Sequence, residues 1–444
     1  MLMCALVQTY HNPDVDYGEK VTVQNPILID TLIVGGGQAG IAMSEHLTRH
    51  EVSHVVLERN RIAESWRTAR WDSLVANGPA WHDRFPGMKF EGLSPDDFAH
   101  KDAVVEYFEA YARKFNAPIK TNVNVFSVER NSGRYGFTVH TSDGLYEAQR
   151  IVVATGPFQK PVIPSVGPVN GTITQIHSSS YQNPQQLPQG GVLVVGAGSS
   201  GVQIADELNR AGKQVYLSVG PHDRPPRSYR GKDFCWWLGV LGLWDQETVQ
   251  PGREHVTIAV SGAHGGRTID FRELAHGGIT LVGSTKSLNG REATFKADLV
   301  ENVERGNENY LSLLDAADAY VERNGLSLPE EPQARQTPVD PLCMANPLLQ
   351  LDLVEAGITS IVWATGYATD YSWLNVDAFD ANGKPRHQRG VSSEPGVYFL
   401  GLPWLSRRGS AFIWGVWHDA RHIADHIVTQ RAYLAHHEPL HVAV

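Results

Sequence analysis

Two short segments of this 444-residue chain repeat the pattern Gly-x-Gly-x-x-Gly. Each follows an apolar run typical of a buried β-strand and precedes residues with helical spacing. The glycines are Gly35, Gly37 and Gly40 in TLIVGGGQAG, and Gly196, Gly198 and Gly201 in VLVVGAGSSG. In such a strand–turn–helix unit the first glycine makes the turn, the second admits a pyrophosphate and the third lets helix and strand pack closely. The sequence therefore predicts two dinucleotide sites, each at a helix N-terminus.

The residues that end the following strands differ between the two segments. The strand HVVLE ends in Glu58, whose carboxylate can accept hydrogen bonds from a ribose and would repel a 2′-phosphate. The strand QVYLS ends in Ser218, and the loop beyond it contains Arg224 and Arg227, which can bind a phosphate. We therefore expect FAD in the first site and NADPH in the second, since a flavoprotein reduced by NADPH needs both folds. A solvated arginine loop remains the alternative, because neither arginine directly follows Ser218.

Small and polar residues around the glycines complete the two predicted sites. The triplet Ala-Thr-Gly ends two apolar strands, at 154–156 and again at 364–366, where a small residue and a glycine can lie beside a cofactor. A plain strand-ending turn explains either triplet alone equally well. We expect the first site to include Gln38 and Ala39, and the second to include Ser199, Ser200, Gln203, Ala364, Thr365 and Gly366.

These motifs must be positioned by an α/β fold with two Rossmann-like dinucleotide-binding domains, the second inserted in the first. The predicted boundaries are an N-terminal extension at 1–27, an FAD-binding domain at 28–162 and 345–444, and an NADPH-binding domain at 163–344 with a helical, variable insertion at 230–335. Apolar spacing predicts amphipathic helices at 102–115, behind an aspartate cap, and at about 301–326, ending at a glycine.

Composition narrows the function further. A net charge of −10 and a pI near 6.0 argue against nucleic acid as a partner. No apolar run approaches the roughly 20 residues that a membrane span requires. The cysteines, Cys4, Cys235 and Cys343, are far apart in sequence, so the pattern predicts neither a disulfide framework nor a metal site. A reducing cytoplasm is the expected compartment.

With these motifs identified, the chain resembles the flavin-containing monooxygenase superfamily, and within it the bacterial CzcO-like flavoproteins. Beside the glycine motifs, the markers are ESW at 64–66, RWDSLVANGP at 70–79, HSSSYQNP at 177–184 and the closing segment at 396–416. The resemblance implies an FAD-dependent, NADPH-consuming monooxygenase that inserts one oxygen atom from O2 through a C4a-hydroperoxyflavin. It also implies a small-molecule substrate, oxidised at nitrogen or sulfur.

The resemblance also assigns roles to particular residues. Ser73, Leu74, Asn77 and Pro79 match the family pattern SLxxNxP, whose asparagine lies by the reactive edge of the flavin, so Asn77 is the expected catalytic residue. Read without the family, Asn77 before Gly78 is a turn residue. The family match places Ser65, Trp66 and Gly401 with FAD, and His177 and Tyr181 with NADPH.

Two departures from the family pattern leave alternatives open. The first half of the fingerprint FxGxxxHxxx is missing before His177, so Baeyer–Villiger oxidation of a ketone or aldehyde stays an alternative; Tyr181, where such enzymes carry tryptophan, favours nitrogen or sulfur oxygenation. Val219 and Gly220 stand where many NADPH-specific members carry an arginine, so NADH is an alternative reductant.

Two other protein classes remain in view. A disulfide reductase shares the paired folds but needs a cysteine pair beside the flavin. A non-catalytic flavoprotein that senses redox state and regulates transport is the third candidate. We expect a substrate pocket between 234–244 and the aromatic residues Trp404, Phe412, Trp414 and Trp417, with a homodimer contact as another use of the tryptophan-rich segment.

Overall fold

The computed structural model describes residues 25–247 and 257–437. The predicted N-terminal extension lies almost wholly outside the described residues, as does the part of the predicted insertion at 248–256. The helices are α1 (Gln38–Arg49), α2 (Glu64–Thr68), α3 (Lys101–Lys114), α4 (Ser199–Arg210), α5 (Phe234–Val240), α6 (Phe271–His276), α7 (Leu299–Asn324), α8 (Leu342–Ala345) and α9 (Ile413–His437).

The described strands run from 27 to 399. They are β1 (Ile27–Val34), β2 (His54–Leu57), β3 (Ile119–Lys120), β4 (Val125–Arg130), β5 (Phe137–Thr141), β6 (Gly144–Val153), β7 (Lys160–Pro161), β8 (Thr174–His177), β9 (Gly191–Val195), β10 (Val215–Ser218), β11 (Ser228–Tyr229), β12 (Lys232–Asp233), β13 (Thr280–Val282), β14 (Thr285–Asn289), β15 (Glu292–Phe295), β16 (Gln350–Asp352), β17 (Ile358–Trp363), β18 (Tyr367–Ala368), β19 (Leu374–Asn375), β20 (His387–Gln388), β21 (Val391–Ser392) and β22 (Val397–Phe399).

A ten-stranded sheet forms the first layer. Its main path has the order β19-β4-β5-β6-β1-β2-β3, and β22 pairs with β6. The centre is parallel, because β1 runs alongside both β2 and β6, whereas β4, β5 and β6 pair antiparallel. The inner half of β1 is fully buried, including Leu32 and Ile33, and α1 and α9 pack together beside the sheet. This sheet therefore carries the first glycine motif at the carboxyl end of β1.

A five-stranded parallel sheet carries the second glycine motif. Its order is β13-β10-β9-β17-β8, and the glycines follow β9. In sequence, its strands lie between the parts of the chain that build the first sheet. The predicted return to the first domain at residue 345 is wrong for β17, because this strand pairs with β8 and β9 of the second sheet. The chain rejoins the first sheet at β19.

Two predicted helices form with small differences at their ends. Helix α3 begins at Lys101, and its cap is the ring nitrogen of His100, which accepts a hydrogen bond from the backbone N–H of Asp102. The predicted aspartate cap is therefore wrong by two residues. Helix α7 ends at Gly325 in the left-handed conformation, φ 59°, as the glycine predicts. Across residues 25–247 and 257–437, no helix is both long and apolar enough to cross a membrane.

Candidate cofactor and substrate sites

The first glycine motif forms a tight turn between β1 and α1. Gly35 has φ +113°, and a Cβ atom there would stand 2.6 Å from the carbonyl oxygen of Ala154. A Cβ atom on Gly40 would collide with the carbonyl oxygen of Gly35. At Gly37, by contrast, a Cβ atom would meet nothing within 4 Å. The first and third glycines are therefore required by packing, and the second leaves open the space that a pyrophosphate needs.

The second glycine motif repeats this construction. Gly196 has φ +111° and lies against the carbonyl oxygen of Ala364, and a Cβ atom on Gly201 would collide with the carbonyl oxygen of Gly196. The repeated Ala-Thr-Gly triplet thus has a structural role, because each alanine carbonyl lies against the first glycine of a motif. Thr365 donates to the carbonyl oxygen of Val162, where the chain crosses between the sheets.

Several residues predicted for FAD surround the first motif. Glu58 accepts hydrogen bonds from the backbone N–H groups of Gly36, at 2.6 Å, and Asn60, at 2.9 Å. Gly401 has φ +81°, and a Cβ atom there would lie 2.9 Å from the Cβ atom of Ala39. The C-terminal segment therefore touches the glycine turn. Its connection is reinforced by Gln38, whose Nε2 donates to the carbonyl oxygen of Ala411 at 2.8 Å.

The short helix α2 carries the other two residues predicted for FAD. Ser65 is exposed, and Trp66 is half-buried, with the guanidinium of Arg70 5.8 Å from its ring centroid. The helix starts beside the first motif, since the N–H of Ala63 donates to the carbonyl oxygen of Gly36. Both side chains are thus carried near the glycine turn.

The second motif is covered by a segment that the sequence did not identify. We name residues 257–262 the strap. The carbonyl oxygen of Ile258 accepts from both the backbone N–H and the hydroxyl of Ser199, each at 2.8 Å, and a Cβ atom on Gly198 would lie 3.1 Å from Thr257. Gln203 donates to the carbonyl oxygen of Val260 at 2.7 Å. A backbone oxygen therefore stands where a pyrophosphate oxygen would accept from the N-terminus of α4.

The residues predicted to bind the 2′-phosphate are engaged internally. Ser218 is buried; its hydroxyl donates to the carbonyl oxygen of Gly283 and accepts from the N–H and hydroxyl of Thr285. Arg224 is also buried, pairs with Asp270 at 2.9 Å and lies over the ring of Tyr310. Both side chains hold the second domain together, which leaves them no free surface for a phosphate.

Arg227 is likewise buried, and it joins the two domains. Its guanidinium pairs with Asp233, lies between the rings of Phe98 and Phe234, and donates to the carbonyl oxygen of Asn77 at 2.6 Å. Arg227 is therefore not placed to bind the 2′-phosphate as predicted, because its side chain is buried and its charge is paired with Asp233.

Asn77, the predicted catalytic residue, stands at the same junction. Its side-chain oxygen accepts from Nε2 of Gln203 at 2.9 Å, and Gln203 belongs to the helix of the second motif. The loop between α2 and α3 thus contacts α4 directly. The structure brings together a residue predicted for the flavin and one predicted for the nicotinamide cofactor.

His177 and Tyr181 have mainly structural partners. Nδ1 of His177 accepts from the N–H of Ser179, so Nε2 carries the proton and donates to the carbonyl oxygen of Gly366 at 3.0 Å. Burial lowers the pKa of His177, which keeps the ring neutral. Tyr181 is fully buried, and its hydroxyl donates to Glu207 at 2.6 Å. His177 thus lies at the second triplet, whereas Tyr181 is a core residue of the second domain.

The structure brings together part of the predicted aromatic pocket. Trp244 lies 5.2 Å from Phe412 and 6.4 Å from Trp414, measured between ring centroids. The two segments predicted to line the pocket therefore meet. Trp417 instead turns to the first domain and donates from Nε1 to Glu45 at 2.7 Å. Trp404 has φ +55° and shares no ring contact with this cluster among the described residues.

The aromatic cluster also contains a histidine–aspartate pair that the sequence did not reveal. His82 and Asp83 are both buried, and Nδ1 of His82 lies 2.8 Å from Oδ1 of Asp83. The His82 ring packs 5.1 Å from Trp244 and 5.6 Å from Trp414. The adjacent letters HD in WHDR were the available signal, but two neighbouring residues on a loop do not reveal their common orientation.

Comparisons with known proteins agree with this geometry. A family described as pyridine nucleotide-disulphide oxidoreductase matches residues 32–232. An uncharacterized oxidoreductase, CzcO-like, of Geobacillus kaustophilus is 35% identical over 90% of this chain and 99% of its own length. The chain belongs to the CzcO-like oxidoreductases. The relatives that show this family are named oxidoreductases, which agrees with the predicted oxidoreductase class.

Two more distant matches extend along nearly the whole CzcO-like chain. A probable indole-3-pyruvate monooxygenase of Arabidopsis thaliana is 26% identical over 90% of both chains. The solved structure of a flavin-containing monooxygenase from Stenotrophomonas maltophilia superimposes with a TM-score of 0.62, at 18% identity, over 91% of this chain and 99% of that one. The second match shows the shared fold.

The described part of this CzcO-like protein contains no cysteine pair that could carry out disulfide chemistry. The free cysteines there are Cys235, which is buried on α5, and Cys343 on α8. Burial raises the pKa of the Cys235 thiol, which disfavours the nucleophilic thiolate.

Proposed function

We propose that the first sheet and its glycine motif form the FAD-binding domain, and that the second sheet and its motif form the inserted NADPH-binding domain. The observation that carries this proposal is the matched construction of the two turns, together with the hydrogen bond that links Asn77, the residue predicted to lie by the flavin, to Gln203 of the second motif. Two dinucleotides on facing motifs suit hydride transfer from one to the other.

The residues of the first motif fit FAD in the structure. Gly37 leaves room for the pyrophosphate, and Glu58 ends β2 beside the turn, where its carboxylate can exchange the N–H of Gly36 for a ribose hydroxyl. Gly401 presents backbone groups rather than a side chain next to Ala39. An acidic residue at Glu58 also explains why the first motif suits FAD rather than NADPH.

The second motif fits a pyrophosphate once the strap has moved. The N–H and hydroxyl of Ser199 then point to the ligand instead of to Ile258. Ser200 and Gly201 lie in the same first helical turn. Because Ser218, Arg224 and Arg227 have internal partners, they supply no selective 2′-phosphate site, and NADH is the expected second reductant.

Bound FAD supplies the redox chemistry, by taking hydride from NADPH and activating O2. The chain supplies orientation and a dry site. Asn77 presents its amide group between the two motifs, and the aromatic residues around Trp244 exclude water from the substrate. We propose that the enzyme adds one oxygen atom to the nitrogen or sulfur of a small apolar or aromatic compound.

Oxygenation at a carbonyl is the second candidate. It is supported by the likeness along 90% of both chains to a plant protein named a probable indole-3-pyruvate monooxygenase, because that named substrate is an aromatic compound with a ketone.

Isotope labelling tests this proposal directly. The FAD-loaded protein is incubated with NADPH under ¹⁸O₂ and a panel of matched compounds: thioanisole, N,N-dimethylaniline, phenylacetone and indole-3-pyruvate. We expect one heavy oxygen atom in a sulfoxide or N-oxide product. Label found only in products of the two carbonyl compounds would select the second candidate. NADPH oxidation without label in any product would contradict both and favour a redox-sensing flavoprotein.

A further inference from the structure

The pair formed by His82 and Asp83 has one free end. Asp83 accepts from the backbone N–H of Gly78 at 3.0 Å through Oδ2, and its Oδ1 faces Nδ1 of His82 at 2.8 Å. Since a carboxylate can only accept, Nδ1 of His82 carries a proton. The orientation of the ring is therefore set, and Nε2 is the atom left for another partner.

No described residue supplies that partner. His82 is 5% exposed, and its Nε2 atom is buried without a hydrogen bond within 25–247 and 257–437. Leaving a buried polar group unpaired costs about 1–3 kcal/mol, so most such groups in folded proteins have a partner. A charged residue holds the other side of the ring in place, which argues that the free nitrogen serves a ligand.

The surroundings of His82 indicate what kind of ligand fits. The ring lies edge-on to Trp81 at 5.3 Å and nearly parallel to Trp244 and Trp414. Phe412 packs against Trp244 and is 39% exposed, so the aromatic cluster reaches solvent. Indole faces favour flat apolar groups, and a ring nitrogen in their midst favours one polar atom on that group.

The pair is also joined to the residue predicted for catalysis. Gly78, which donates to Asp83, directly follows Asn77, and Asn77 bonds to Gln203 of the second motif. One loop of seven residues, 77–83, thus carries both the amide that accepts from Gln203 of the second motif and the histidine in the aromatic cluster. A ligand on His82 would be held by the same loop that meets the cofactors.

We propose that Nε2 of His82 anchors the substrate, an aromatic compound with an oxygen atom that accepts a hydrogen bond, and that Asp83 positions the ring. When the ligand binds, the ring takes up one proton from water at Nε2, which then donates to the ligand oxygen while Nδ1 donates to Asp83. The proposal rests on the proposed function for the identity of the site, but binding needs neither NADPH nor O2.

A pair of matched probes tests the anchor. Acetophenone and ethylbenzene have nearly the same shape, and only acetophenone carries the acceptor oxygen. Binding to the oxidised, FAD-loaded protein is measured by quenching of tryptophan fluorescence and by calorimetry, without NADPH. One hydrogen bond is worth about 1 kcal/mol, so acetophenone should bind roughly fivefold more tightly than ethylbenzene.

Variants separate an anchor from a packing residue. His82→Leu should remove the preference for acetophenone and keep the binding of ethylbenzene, whereas His82→Gln, which can donate, should retain part of the preference. His222→Leu is the control, because His222 is another buried histidine with an unpaired Nε2, packed against Phe271 away from this cluster. It should leave the preference unchanged.

Two outcomes overturn the proposal. One is an equal preference for acetophenone in His82→Leu and in the unchanged protein; the other is failure of the folded, unchanged protein to bind either probe. Neither depends on oxygen transfer. A protein that passes this test but yields no ¹⁸O-labelled product would contradict the proposed function alone.

Discussion

The strap over the second motif leads to a quantitative expectation for cofactor affinity. Three short hydrogen bonds and one longer one hold it on α4: two from Ser199 to Ile258, one from Gln203 to Val260, and one of 3.4 Å from the N–H of Val260 to the hydroxyl of Ser199. At about 1 kcal/mol each, the three short bonds favour the covered state by about 3 kcal/mol, or a factor of about 150. NADP⁺ must overcome this preference before it reaches the helix N-terminus.

Weakening the strap should therefore tighten binding. Val260 is 7% exposed and packs in the cluster that contains Trp244, so Val260→Ala removes about 1.5 kcal/mol of packing from the covered state. Since the loss affects only that state, the Kd for NADP⁺ should fall about tenfold. Isothermal titration calorimetry of the FAD-loaded protein measures it. Hydrogen exchange of a peptide containing Ser199 should accelerate in the same variant.

The control is a core substitution outside the strap that costs at least as much stability. Leu314 is fully buried in the cluster between α5 and α7, so Leu314→Ala lowers stability without touching residues 257–262. Its Kd for NADP⁺ should equal that of the unchanged protein. An unchanged or weaker affinity in Val260→Ala, with slow exchange at Ser199, would refute the reasoning.

Three further predictions concern coupling, stability and pH. Asn77→Ala removes the bond to Gln203, so the yield of oxygenated product per NADPH consumed should fall about tenfold, measured as product against peroxide released; equal coupling would argue against a role for the amide. Glu45→Ala leaves the buried Trp417 N–H without its acceptor, while the Tyr111 hydroxyl keeps the carbonyl oxygen of Pro86 at 3.2 Å; the free energy of unfolding should fall by about 1–3 kcal/mol in urea titrations, and Tyr111→Phe should cost less. Burial lowers the pKa of His46 and His222 from 6.5 to about 4, so the unfolded chain binds protons first as pH falls below 6.5. Each histidine should therefore remove about 2 kcal/mol of stability between pH 7.5 and pH 5. His222→Gln should lessen that loss in thermal unfolding scans.

The sequence predicted the parts of the site that depend on short-range geometry. Gly35 and Gly196 need positive φ, and a side chain at Gly40 or Gly201 collides with a backbone oxygen only a few residues away, so the motifs specify their own turns. The repetition of the Ala-Thr-Gly triplets is visible in the sequence. Their contact with the first glycine of each motif required the strand order, which places β6 beside β1 and β17 beside β9.

Features that depend on how side chains meet in the folded chain could not be predicted. Arg224 and Arg227 were assigned to a phosphate from charge alone, but Asp270 and Asp233 pair with them in the fold. The strap has no motif, because it acts through backbone carbonyl oxygens, which every residue carries. His82 became notable only when the segments containing Trp244 and Trp414 packed against it, far from it in sequence.

The most direct test of the account makes the same substitution in each of the two glycine motifs and compares the effects. Gly40→Ala and Gly201→Ala each place a methyl group against the carbonyl oxygen of the first glycine of its motif, while Gly171→Ala, on an exposed turn with nothing within 4 Å, is the control. Flavin content and anaerobic reduction of the bound flavin by NADPH are measured for all three. We expect Gly40→Ala to lose FAD, and Gly201→Ala to retain FAD but lose its reduction by NADPH. Loss of FAD from Gly201→Ala with retention in Gly40→Ala would contradict the assignment of the two motifs.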